Sequence, residues 1–545
     1  MGMRVLCVYP LFPKSYWGAE HTRKFTGKRS LLPPLGLLTV AALLPPEVEV
    51  RLRDLNVRPL EAADLDWADV VFLSGMIIQR ESMIEVARAA RRAGKVVVAG
   101  GPYATLSPDV LQPLVDCVVI GEAEELIAPL VTALTGEAPL PPRLVAERRP
   151  ELASSPVPRF DLLEVDAYQS LSLQSSRGCP FNCEFCDIIE MFGRKPRFKT
   201  PEQLLRECDA ILATGFRGAV FLVDDNFIGN RVKVRRLLEA LEEWMPAHRH
   251  PFDLYTQASV NLAADEPLID AMVRAGFSSV FLGIETSSTK ALRAAQKLQN
   301  TAVDIDAAVA TIISRGLDVM AGFIIGFDTD DALALEQQRQ WIAGSPIPMA
   351  MIGLLMALPG TQLERRLARE GRLRGDCSGN NFIRPNFVTR LDEAELLSGY
   401  ARLLEETYAP GGYFERASRA LELCKRDRSR HRLPPVYAIR CLLRSLFYQG
   451  FAGEYRGEYW RFLWRTLRRC PGRFSHAIRI AIHGEHMIRY TKEEVVPRLR
   501  RDLEAIPSGP ARVAEALASP RAATARVAEA LAAPRTATAP RAASA

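Results

Sequence analysis

The sequence contains no uncharged apolar run of about 18 residues or more, so no transmembrane helix is expected. The opening stretch, Met1–Pro10, holds too short an apolar run for a secretory signal and reads as a first β-strand. Charge of neither sign dominates: the formal net charge is +6, diluted over 545 residues. That dilution argues against nucleic acid as a partner, which demands a concentrated basic patch. A disulfide framework is also missing. Seven of the ten cysteines are scattered singly from Cys7 to Cys470 and read as small buried hydrophobes, and a framework would need a secreted context. A reducing cytoplasm is the expected compartment. The remaining composition, 48% hydrophobic and 25% charged, is that of a globular chain long enough for about three domains.

What is present is alternation. Apolar strands are expected at 3–9, 49–54, 68–74, 95–99 and 116–120, with helices at 34–44, 81–93 and 124–134 between them. This βα pattern predicts a doubly wound parallel sheet over residues 1–140. Residues 141–165 belong to a Pro- and Arg-rich stretch with little periodicity, expected to be a linker. Six further strands, at 169–175, 218–223, 253–258, 279–284, 318–325 and 350–357, alternate with helices through 166–390. Six βα units predict a partial (β/α)6 barrel, with chemistry at the C-terminal strand ends. Residues 391–500 carry helical periodicity rich in Arg and aromatics, and 501–545 form an Ala/Pro/Arg-rich tail expected to be disordered. The aromatic–basic helices after Tyr455 are expected to pack on the barrel with Arg stems over apolar surface, a peripheral membrane contact being the alternative.

The other three cysteines fall on one loop, Arg177-Gly178-Cys179-Pro180-Phe181-Asn182-Cys183-Glu184-Phe185-Cys186, directly after the first barrel strand. Three thiolates spaced C-x3-C-x2-C can hold three irons of a cubane and leave the fourth open. Thiolates also suit zinc, but a closed zinc site needs a fourth ligand. The nearest histidines, His248 and His250, lie in a different expected βα connection.

This loop, on a six-unit barrel, resembles the radical S-adenosylmethionine (SAM) superfamily. The resemblance implies a [4Fe–4S] cluster on Cys179, Cys183 and Cys186, SAM chelated at the open iron, and Phe185 near the adenine. It carries over to later strand ends. Asp224-Asp225-Asn226 would face the SAM amine, Ser259 and Asn261 the ribose, and Glu285 the ribose or SAM, while Gly322 and Gly326 lie on a glycine-rich adenine strand. A Rossmann-like domain ahead of such a barrel resembles the cobalamin-binding class, with Gly100-Gly101-Pro102 and Gly121-Glu122 as candidate corrin contacts. The Asp-x-His-x-x-Gly motif of methionine-synthase-like domains is absent, and His21 lies outside any such pattern, so no histidine is expected on the lower face of cobalt. Stretches such as Leu32-Pro33-Pro34-Leu35-Gly36 and Asp224-Asp225-Asn226-Phe227-Ile228-Gly229-Asn230 resemble the subgroup that includes hopanoid C-2 methylase.

That resemblance implies reductive cleavage of SAM to a 5′-deoxyadenosyl radical and cobalamin-dependent methylation of an unactivated sp3 carbon. It implies a polycyclic or lipid-like substrate and an electron donor of flavodoxin or ferredoxin type. The cofactors carry the difficult chemistry and the protein orients them. A ring-forming or oxidative radical enzyme and a non-catalytic cluster or zinc protein are the alternatives. The basic segment Arg194-Lys195-Pro196-Arg197-Phe198-Lys199 reads as a solvated loop or as an anion or reductant contact.

Overall fold

The computed structural model describes residues 2–425 and 435–506; residues 507–545 of the tail lie outside them, whereas 501–504, expected to be disordered, continue the helix Val496–Glu504, on which Leu499 is buried. Six strands form the first sheet: β1 (Arg4–Tyr9), β2 (Glu49–Asp54), β3 (Val70–Ser74), β4 (Val96–Gly100), β5 (Cys117–Ile120) and β6 (Arg143–Val145). All pair in parallel, in the order β2-β1-β3-β4-β5-β6. Helices cover both faces, which is why Val70-Val71-Phe72-Leu73 is apolar throughout. Successive residues sort to opposite cores: Leu6, Val71 and Val97 meet Met83 and Val86 of the helix Arg80–Arg92, while Val5, Val70 and Val98 meet Leu37 and Ile127 on the other side. Strand β6 falls in the stretch expected to be linker; three residues with two apolar side chains are too few to show a period.

The second sheet contains β7 (Ser170–Leu173), β10 (Gly218–Leu222), β11 (Phe252–Ala258), β12 (Phe277–Glu285), β13 (Asp318–Ile325) and β14 (Ala350–Leu354), parallel and in chain order. This is an open half-barrel. A short antiparallel ribbon, β8 (Ser176–Arg177) with β9 (Arg197–Phe198), leaves its first strand and frames the cysteine loop. Along β10, β11 and β13 burial alternates. Val220, Leu254 and Val319 are buried in the large core, while Phe221, Tyr255 and Met320 stay half-exposed on the inner wall.

The helices Glu393–Thr407, Pro410–Leu423, Pro435–Ser445, Arg456–Arg469, Phe474–Tyr490 and Val496–Glu504 complete the fold. Phe474–Tyr490 closes the lower end of the half-barrel, where Arg479 pairs with Asp253 and His476 with Asp318, each at 2.7 Å. The same helices grip residues 15–26, a strap from the first domain. Tyr16 packs on Tyr408 and Tyr490 with ring centroids at 5.6 and 4.8 Å. Among the described residues no helix is long and apolar enough to cross a membrane.

Candidate functional site

The cysteine loop is fixed by backbone geometry. Gly178 has φ +96°, and a Cβ there would sit 2.9 Å from the Gly193 carbonyl, which itself accepts from the Cys179 N–H at 3.2 Å. The Glu184 N–H donates to the Ala295 carbonyl at 3.1 Å, and its own carbonyl accepts from Leu363 at 2.8 Å. Arg366 grips the Glu184 carboxylate with Nη2 at 3.0 and Nε at 3.2 Å. Asn182, Gln296 and Gln362 close a ring of amide hydrogen bonds at 2.7, 3.1 and 2.9 Å. The loop is thus held from both sides by protein contacts.

Cys179, Cys183 and Cys186 are free thiols on this loop. Burial, reinforced by neighbouring negative groups, pushes the Cys179 and Cys186 thiols up, so loading them with metal releases protons. Among the described residues no three His, Cys, Asp or Glu groups gather as they would round a single metal ion. Soft donors with no fourth protein ligand fit a cubane with one open iron. Gln299 Nε2 lies 3.6 Å from Cys183 Sγ. The Lys297 ammonium is held charged. Burial alone would lower it, but Glu285 at 2.6 Å and the Cys183 and Cys186 sulfurs outweigh that. Sequence reasoning missed Lys297, because Ala295-Gln296-Lys297 carries no motif.

The structure separates the candidate SAM residues into two kinds. Asp224 is fully buried and saturated, accepting from Ser175 N and Oγ at 2.7 and 2.5 Å and from Ser176 Oγ at 2.7 Å. It holds the end of β7. Asp225 accepts from the Gly178 N–H at 2.8 Å and forms no ion pair among the described residues. Burial, with Asp224 and Asp187 adding repulsion, lifts it to about 7. Asn226 Nδ2 donates to Ser259 Oγ at 3.3 Å, and Ser259 Oγ donates to Asn261 Oδ1 at 2.7 Å, so these three polar groups form one chain. Glu285 stands on a β-bulge with φ +68°. Its Oε1 and Lys297 Nζ would lie 2.6 and 2.8 Å from a Cβ at Gly283, so glycine is needed there. Gly322 on the next strand lies against Phe281, with Glu285 Oε2 at 4.0 Å from its Cβ position. Gly326 is turned, φ +96°, and Asp330 accepts both its N–H and that of Phe327 at 2.9 and 3.0 Å. Phe185 packs edge-on to Phe327 at 6.2 Å, with the Lys297 ammonium 5.9 Å over its ring.

In the first domain, Gly100 caps the helix Gly101–Leu106, with Pro102 near its start. Gly101 and Gly121 have φ +83° and +98°, and side chains there would strike Ser74 and Ala146. Both stand at C-terminal strand ends, where open parallel sheets bind ligands; Leu11 and Met76, after β1 and β3 at the reversal of strand order, are exposed on the same edge. This edge meets the barrel mouth. Ile77 lies against Gly379 and Leu106 against Gly360, and Arg80 Nη1 donates to the Cys377 carbonyl at 2.9 Å. Glu122, expected among the corrin contacts, turns to the barrel instead. It accepts from Arg177 at 2.6 Å and from Arg197 at 2.7 and 3.0 Å, and Glu124 adds a second contact to Arg177 at 2.8 Å. Arg197 and Lys199 are therefore not solvated: Lys199 is buried in a pair with Glu207.

Family models match in the same three parts: the B12 binding domain over residues 29–131, the radical SAM superfamily over 173–336, and a domain of unknown function over 361–538. An uncharacterized methyltransferase, sll1242, of Synechocystis sp. is 40% identical over 527 residues, covering 95% of this chain and 98% of that one. Hopanoid C-2 methylase of Rhodopseudomonas palustris is 36% identical over 502 residues, covering 90% and 94%. A solved structure of the cobalamin-dependent SAM radical enzyme OxsB, with aqua-cobalamin and SAM bound, superposes with a TM-score of 0.58 over 94% of this chain and 83% of that one, at 14% identity. At that identity the likeness is one of fold.

Proposed function

Since the chain belongs to the radical SAM methyltransferases that carry a B12-binding domain, we propose that it methylates an unactivated sp3 carbon of a polycyclic, lipid-like molecule of the hopanoid kind. When bound, the cluster and SAM would supply a radical that takes a hydrogen atom from carbon, and the cobalamin a methyl group. What this chain contributes is placement.

The observation that carries the reading is the contact of Glu122, at the corrin-binding edge, with Arg177, two residues before Cys179. It holds the two cofactor edges face to face, as transfer between them requires. Cys179, Cys183 and Cys186 would hold the cluster, Gly101 and Gly121 would let backbone approach the corrin, and Asp225 would accept from an N–H of the SAM amine. Of the two aspartates, Asp225 is the one with acceptor capacity to spare. Asn226, Ser259 and Asn261 form the polar row suited to the ribose. A flavodoxin- or ferredoxin-type protein would bring the electron.

The substrate class is supported by the inner wall. Phe221 and Tyr255 stack at 4.7 Å, and Trp17 of the strap leans on Phe281 at 5.1 Å, beside Gly322 and Glu285. Such a surface suits a flat apolar body. Anaerobic turnover with SAM, methylcobalamin and a hopanoid olefin or saturated hopanoid tests it. A product heavier by one methyl group, formed with 5′-deoxyadenosine, is expected. Deoxyadenosine formed with an unmethylated, cyclised or desaturated product would remove the methyl-transfer reading. Methylation of a hydrophilic substrate alone would remove the lipid-like one.

A further inference from the structure

Nine of the seventeen large apolar side chains exposed among the described residues fall between Val436 and Leu467. They are ordered. Ile439, Leu443 and Phe447 recur every four residues along the helix Pro435–Ser445 and the wide turn Leu446–Phe451 that continues it, and Phe451 follows in step. Trp460 and Trp464 repeat the spacing on Arg456–Arg469. The two rows join at the hairpin: Trp460 Nε1 donates to the Gly450 carbonyl at 2.9 Å, and Phe447 and Phe451 stack at 6.1 Å. Phe451 is 76% and Trp464 63% exposed. These helices also possess a normal inward stripe, since Tyr459, Phe462 and Leu463 are buried, with Phe462 on Phe414 at 5.0 Å. The outward stripe is therefore additional to core packing, and patches of this kind mark a surface that something covers.

The flanking charge identifies the cover. Residues 436–469 contain seven arginines and two glutamates. Both glutamates are already paired, Glu454 with Lys492 at 2.5 Å and Glu458 with Arg461 at 3.4 Å. Arg465 and Arg469 are answered by Glu415 and Glu422, and among the described residues Arg440, Arg444, Arg456 and Arg468 have no carboxylate partner, so the face keeps a positive excess that repels a second copy of itself and argues against a dimer through it. Exposed tryptophan and phenylalanine fringed by arginine matches the boundary between anionic headgroups and acyl chains. We propose that residues 436–468 form a peripheral docking surface for an anionic lipid bilayer. Docking there places the strap beside the membrane: Phe25 packs edge-on to Tyr448 at 5.8 Å, and Arg440 and Arg444 donate to the Thr26 and Phe25 carbonyls at 3.2 and 3.3 Å. The strap's other end carries Trp17 to the inner wall.

The proposal stands apart from the methylation reading, since deoxyadenosine formation does not depend on docking. The test uses the full chain, reconstituted anaerobically, in co-sedimentation with phosphatidylcholine vesicles with and without about 30% phosphatidylglycerol. Association with the anionic vesicles is expected, with a blue shift of tryptophan emission. Phe451→Ser/Trp464→Ser should weaken it about a hundredfold, because each of the two buried rings is worth on the order of one decade. Arg461→Glu/Arg468→Glu should remove the anionic preference. Both variants should keep the wild-type circular dichroism and deoxyadenosine yield. Failure of the wild type to associate would overturn the proposal. So would equal association of the serine variant, or self-association through this face that vesicles do not displace.

Discussion

Replacing Glu122 by glutamine asks whether charge holds the two cofactor edges in register. The Glu122 side chain is 4% exposed and receives three donors from Arg177 and Arg197. Glutamine keeps one acceptor oxygen and turns an amide NH2 toward a guanidinium, so a donor faces a donor. Arg177 retains Glu124. Arg197, 7% exposed, retains the Pro150 and Phe192 carbonyls. Stranding one partner of a buried pair costs roughly 3–5 kcal/mol. With Glu124 covering Arg177 the lower end applies, about 3 kcal/mol, or about 150-fold in a docking equilibrium. The assay counts two products of one turnover. Glu122 touches the ribbon but not the thiols, so Glu122→Gln should load iron and sulfide normally and still form 5′-deoxyadenosine. Methylated product should fall about a hundredfold, because the methyl donor is displaced. Glu122→Asp, which keeps the charge, should recover part of the coupling. If both products fall in parallel with cluster content, Glu122 is a prop for the ribbon and the register argument is refuted.

Cys183→Ala should abolish 5′-deoxyadenosine while shifting unfolding by no more than about 1 kcal/mol, checked by product analysis and chemical denaturation. Lys297→Met should strand buried Glu285, cost about 3 kcal/mol in denaturant and slow SAM cleavage, whereas Lys297→Met/Glu285→Leu should restore the stability but not the cleavage. Gly101→Ala forces a side chain into left-handed backbone against Ser74, so cobalamin retention on gel filtration should drop while deoxyadenosine formation persists. Burial pushes His486 down to about 3, with the neighbouring His21 as a further cause; its Nε2–H donates to the Ser15 and Tyr16 carbonyls at 3.0 and 3.2 Å, and Glu20, Glu485 and His483 stand nearby. Its folded-state value is depressed, so its contribution is complete above about pH 6.5 and is lost as pH falls toward 3. At pH 5 the strap should be weaker by about 2 kcal/mol, seen as a protection factor about 30-fold lower over residues 15–26 once the base-catalysed chemical rate at each pH is divided out, and equal protection factors at pH 8 and 5 would sink the assignment.

The architecture was legible because each signal needs only local spacing. Val70-Val71-Phe72-Leu73 and its counterparts announce parallel strands, and the position of the three-cysteine loop after the first strand of the second sheet was legible from the same alternation. Strand β6 and the β8–β9 ribbon were not legible, since two or three residues carry no period. Asp224 and Asp225 are chemically identical in sequence. Only the serines brought beside Asp224 by β7 distinguish the saturated carboxylate from its neighbour. Glu122 was read as a ligand contact because it follows a glycine at a strand end. Its partners lie 55 and 75 residues away, on the far domain, where no motif points.

These placements share one electrostatic logic. Five carboxylates, Glu122, Glu184, Asp224, Asp225 and Glu285, lie near a loop built to hold an anionic cluster, and uncompensated they would oppose it. Arg177 and Arg197 answer Glu122, Arg366 answers Glu184, and Lys297 answers Glu285 while itself facing the sulfurs. Asp224 is spent on two hydroxyls and an N–H. Asp225, which burial lifts to about 7, accepts from the Gly178 N–H and forms no ion pair among the described residues, though Arg177 acts on it at longer range. The paired carboxylates are thereby kept from opposing a charged cluster, and Asp225, with acceptor capacity to spare beside Gly178, is the carboxylate we propose for an N–H of the SAM amine.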